Sequence, residues 1–107
     1  MESDHRKFDE TQIDLLCRAF AAIRDKEECM SFLEDLMTIR EIQDMSQRIA
    51  VAKLLSEGKG YQEIMEQVSV SSATISRVNR CLHYGAGGYQ TILSRIEDLN
   101  NNGEGEP

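Results

Sequence analysis

Proline is nearly missing from this chain: Pro107, its last residue, is the only one. Glycine is confined to a few places and aromatic residues make up 6%. That scarcity disfavours a sheet rich in tight turns and suits long uninterrupted helices. No apolar run approaches the length of a membrane span, and the charged start MESDHRKFDE is not a signal peptide. A soluble cytoplasmic protein with no membrane partner is expected. Cysteine is also sparse: Cys17, Cys29 and Cys81 are odd in number, lack CxxC spacing and, with His5 and His83, form no zinc set. They read as reduced, mostly buried thiols. Cys81 and His83 stand two apart on a helix and point away from each other, which argues against a nucleophile pair. Excess positive charge is lacking as well, since the formal net charge of −7 disfavours indiscriminate coating of nucleic acid. No Ser/His/Asp order and no paired carboxylate constellation stands out. Gly85-Ala86-Gly87-Gly88 follows no strand and carries no lysine, so it reads as a hinge and not a phosphate cradle. Neither catalysis nor a cofactor is expected.

What the 107 residues do contain is a succession of helix signals. Thr11 with Asp14 has capping-box spacing and precedes Leu16, Ala19, Phe20 and Ile23 on one face. Asp25 with Glu28 repeats it before Cys29, Phe32, Leu33 and Leu36, and Thr38 with Glu41 before Ile42, Met45, Ile49, Ala52 and Leu55. Gly58 then stops the third helix. Residues 89–99 offer a sixth helix with Ile92, Leu93, Ile96 and Leu99 to one side. The expected organisation is a flexible N-terminus over 1–10, one domain over 11–99 and a disordered polar tail over 100–107.

Between those elements, residues 61–82 (YQEIMEQVSVSSATISRVNRCL) read as a helix-turn-helix. Ile64, Met65 and Val68 supply the first helix's inner side, Val70 plugs the corner, and Ile75 and Val78 return from the second helix. Ser69, Ser71 and Ser72 are turn-compatible and can accept the N–H groups that open a helix. Ser69 stands where the motif commonly has a glycine with positive φ. Outward on the second helix are Ser72, Ala73, Thr74, Ser76, Arg77, Asn79 and Arg80, a hydrogen-bonding, basic face of the kind that enters a major groove. Between Ser69 and Ile96 the charges are Arg77, Arg80 and Arg95, with no acid, whereas residues 1–60 hold nine Lys/Arg against thirteen Asp/Glu. A local basic ridge on an acidic body favours specific recognition of double-stranded DNA. An acidic helical dimer that docks another protein is the alternative that the net charge favours.

The strings FLEDLMT, RIAVAKLL before Gly58 and SATISRVNRCL resemble the Trp repressor superfamily, and more closely its Trp-repressor-like YerC/YecD group. The likeness runs from Phe32 to about Leu93, and ATISR at 73–77 differs from the tryptophan repressor by one Thr-to-Ser exchange. It implies an all-α, six-helix fold in an intertwined homodimer, and a repressor reading a palindromic operator. Surplus apolar stripes on the first, second and last helices fit such a dimer, because each large side chain left in water forgoes roughly 1.5–3 kcal/mol. The resemblance further places Val70, Ser71, Ser72, Ala73, Thr74 and Ser76 at the DNA. Thr74 and Ser76 are then expected to bond phosphates or bases and Ala73 to meet a thymine methyl, with Tyr61 and Gln62 on the backbone and Arg80 on a phosphate. It also maps a corepressor pocket onto Thr38, Arg48 and Arg77. Val78, however, stands where the tryptophan repressor has glycine, and its isopropyl group fills space that a flat indole needs. Tryptophan is therefore not expected as corepressor, and Arg48 has an intersubunit salt bridge as its alternative role.

Overall fold

The computed structural model describes residues 9–101, which form six helices and, among the described residues, no strand. They are α1 (Glu10–Ala21), α2 (Lys26–Leu36), α3 (Ile39–Ser56), α4 (Tyr61–Gln67), α5 (Ser72–Tyr84) and α6 (Gly88–Leu99). The all-α class and the helix order are those expected. Most of the two expected tails, residues 1–8 and 102–107, lies outside the described residues. Of the rest, Asp9 and Glu10 open α1, and Asn100 keeps helical angles (φ −65°, ψ −38°) beyond α6.

The chain divides into two compact units, one ending at Thr38 and one beginning at Ile39. In the first, α1 is capped by Asp9 and not by Thr11: the Asp9 carboxylate accepts from the Thr11 N–H at 2.9 Å and the Gln12 N–H at 3.3 Å. Asp14, read as the partner of a Thr11 cap, instead faces Arg18 one turn on, at 3.3 Å. The aspartate wins because it sits one residue before the helix and adds negative charge at its positive end. The second cap is as the sequence indicates, with the Glu28 N–H donating to Asp25 at 2.9 Å. Its reciprocal arm is displaced by one residue, because the Glu28 carboxylate accepts from the Arg24 N–H at 3.0 Å. Phe20 of α1 and Phe32 of α2 meet edge to face, ring centres 5.5 Å apart.

The second unit carries the core. Val51 and Ala52 of α3, Ile64 of α4, and Ile75 and Val78 of α5 are buried together. Val68, Val70, Leu54, Leu55, Tyr89 and Leu93 pack against them. The long α3 is thus the spine against which α4, α5 and α6 lie. Gly58 ends it at φ +85°, with its N–H on the Leu55 carbonyl at 3.0 Å and the Lys59 N–H on the Leu54 carbonyl at 3.1 Å. That pair of bonds is a Schellman stop, for which glycine supplies the left-handed residue. A second tight point is Gly85, where a Cβ would lie 2.4 Å from the Cys81 carbonyl oxygen.

Two expectations about packing fail. Met65 was assigned to the inner side of the helix-turn-helix, yet it is 39% exposed. A helix of seven residues presents one narrow face, which Ile64 and Val68 occupy, and the next position along rotates out. The thiols were expected mostly buried, whereas Cys17 and Cys81 are exposed and Cys29 half-buried.

Candidate nucleic-acid interface

The turn between α4 and α5 is built without glycine. Val68 ends α4 in extended geometry, the Val70 N–H folds back onto the Val68 carbonyl at 2.8 Å, and no residue other than glycine has positive φ among the described residues. Ser69 therefore takes the corner in ordinary backbone space, and the strain that a missing glycine implied is not present. Ser71 is the cap of α5, accepting from the Thr74 N–H at 3.3 Å. Of the three serines proposed as caps, it is the one that does so.

With one side of α5 sealed by Ile75, Val78 and Leu82, the other side is fixed by elimination. Ser72, Ala73, Ser76, Arg77 and Arg80 are all exposed there, as is Ser71 before it. Gln62 and Tyr61 are exposed at the start of α4, Tyr61 at 38%. The Tyr61 hydroxyl reaches across the turn to within 3.3 Å of the Ser76 hydroxyl. Among the described residues neither Arg77 nor Arg80 has a carboxylate partner; the ion pairs there join Arg18 to Asp14, Lys53 to Glu57 and Lys59 to Glu63. Both guanidinium groups are left for an external anion.

Thr74 departs from this group. It is half-buried, with its hydroxyl 3.4 Å from that of Ser71, and it lines a cavity of about 310 Å³ together with Arg48, Arg77, Val78, Cys81 and Tyr89. Arg48 and Arg77, paired from the sequence as a candidate effector pocket, come together at this cavity, and Val78 forms part of its wall. Thr38, the third residue assigned to it, lies at the end of the first unit. Cys81 and Tyr89 were missed. Helical spacing carried a signal for Cys81, since Thr74, Arg77 and Cys81 stand at i, i+3 and i+7. Nothing local marked Tyr89, which arrives on α6 after the glycine turn.

A family model described as Trp repressor protein matches residues 11–97. The chain belongs to the Trp repressor protein family. It is 44% identical over 87 residues to the uncharacterized protein YerC of Bacillus subtilis (strain 168), covering 81% of this chain and 84% of that one. Two solved structures share the fold at a TM-score of 0.78. One is a candidate Trp repressor from Staphylococcus aureus, 41% identical over 81% of this chain and 87% of its own. The other is a TrpR-like protein from Eubacterium eligens ATCC 27750, 42% identical over 81% of this chain and 90% of its own. This is a family of DNA-binding transcription regulators and not of enzymes. Among the described residues no helix is long and apolar enough to cross a membrane.

Proposed function

We propose that the protein is a sequence-specific transcriptional repressor that works in the cytoplasm and binds a palindromic operator in double-stranded DNA as a homodimer. The observation that carries the proposal is the two-sidedness of α5: Ile75, Val78 and Leu82 anchor it in the core, while Ser72, Ala73, Ser76, Arg77 and Arg80 stand in solvent with both cations unpaired. Ser72 and Ala73 meet base edges, Ser76 and Arg80 meet phosphates, and Tyr61 and Gln62 flank the same backbone. Dimerisation is supported by the large side chains left in water, Leu15 and Phe20 on α1 and Ile92, Ile96 and Leu99 on α6 among them.

Tryptophan is not expected as its corepressor, a reading supported by Val78 in the wall of the cavity that Arg48 and Arg77 line. An effector that entered it would carry a negative group to meet the two guanidiniums.

Selection of bound sequences from random duplexes, with and without tryptophan, tests the reading. The expected product is an inverted repeat whose half-sites lie about 34 Å apart, the same in both conditions. Against salt, about six phosphate contacts per dimer give a log–log slope near −5. Arg77→Ala and Arg80→Ala should each weaken DNA binding and leave the melting temperature in place. If they instead abolish a protein–protein contact and duplex binding is undetectable at low salt, the helix-turn-helix is an interaction module.

A further inference from the structure

The sequence assigns Tyr61 and Ser76 to DNA as two independent contacts, but the structure makes them one. Tyr61 opens α4, Ser76 stands in the second turn of α5, and their hydroxyls are 3.3 Å apart across the corner. Ser76 is exposed, and Arg80 stands four residues on, over the same face. A serine hydroxyl left to itself in a helix turns back to the carbonyl four residues before it, which uses up its only proton. A partner that donates to the serine oxygen holds it off that carbonyl and leaves its proton free.

We propose that Tyr61 is a positioning residue for DNA binding: its phenol donates to Ser76 Oγ, and Ser76 in turn donates to a phosphate oxygen. Resting on the proposed DNA-binding reading, this makes the phosphate contact a relay through two helices. Accepting a bond from the phenol polarises the serine hydroxyl and strengthens its own donation. It also ties that contact to the relative placement of α4 and α5, so that one phosphate senses both helices of the motif.

The test is a double-mutant cycle on affinity for the selected duplex. Ser76→Ala should weaken binding roughly tenfold, the low end for a hydrogen bond to a charged group, and Tyr61→Phe roughly threefold, within the range of a neutral one. Together they should cost no more than Ser76→Ala alone, and Ser76→Thr, which keeps the hydroxyl, should recover most of the affinity. Replacing single phosphates by neutral methylphosphonates adds a reading that a purely structural tyrosine would not move: both losses should vanish at the same one position. Additive losses would mean that Tyr61 touches DNA by itself, and an effect of Tyr61→Phe spread over every phosphate would mean that it only braces the fold; either overturns the relay. Absence of binding by the unaltered protein would overturn the DNA-binding reading as well, so the two failures are told apart.

Discussion

Val78 belongs both to the core and to the wall of the cavity, and its replacement probes the two together. It is 3% exposed, packs with Val51, Ala52, Ile64 and Ile75, and forms part of the wall of the cavity lined by Arg48 and Arg77. Changing it to alanine removes two carbons from near-complete burial, worth about 0.8 kcal/mol each, and leaves a void that brings the loss to about 2 kcal/mol. Glycine takes one carbon more and costs about 1 kcal/mol further inside a helix, about 4 kcal/mol in total. In a domain of this size each kcal/mol lowers the melting point by about 4–8 °C, so the drops are about 10 °C for Val78→Ala and about 20 °C for Val78→Gly. Calorimetric titration with tryptophan on the same proteins reads the second effect. The unaltered protein should show no saturable heat, whereas the glycine variant should bind and regain about 2.7 kcal/mol of stability at a hundredfold excess over Kd. Should Val78→Gly prove too unstable to titrate, Val78→Ala carries the test with a smaller opening. Saturable tryptophan binding by the unaltered protein would refute the reasoning, as would a Val78→Ala melting point unmoved from the parent's.

The Schellman stop predicts that Gly58→Ala, forced into φ +85°, loses about 1 kcal/mol in denaturant unfolding. Ser71→Ala, which removes the α5 cap, should cost about 1 kcal/mol by the same measurement and fray the N-terminal end of α5. The exposed Lys53–Glu57 pair gives a pH signature. Its hydrogen bond holds the Glu57 carboxyl below the ordinary 4.5 and the Lys53 ammonium above the ordinary 10.5. The stability it contributes is then full between those values, lost as pH falls through the lowered carboxyl value, and lost again as pH rises through the raised ammonium value. Melting profiles of Glu57→Gln should lack both shoulders and otherwise follow the parent.

Local chemistry was enough to mark the six helices, because a period of 3.6 residues is written wherever apolar groups recur at i, i+3 and i+4. It showed Ile64, Ile75 and Val78 pointing inward, Gly58 as a stop and the acid-free outer face of residues 72–80. Other features depend on how helices cross, which no short window of sequence contains. Packing against α3 rolled Met65 outward and let Ile64 and Val68 take the inner side of α4. Thr74 was read with the outward residues, yet it is half-buried beside the cavity with Arg48 and Arg77, since it borders the sealed stripe of α5 at one turn's spacing from Val78. Tyr61 and Ser76, fifteen residues apart, became neighbours across a corner whose angle the core sets. The sequence thus decided which residues form helices and that Ile64, Ile75 and Val78 turn inward, because those are properties of nearest neighbours along the chain. Which exposed groups stand together, and therefore which can act on one phosphate or one ligand, was decided by the packing of α4, α5 and α6 on α3.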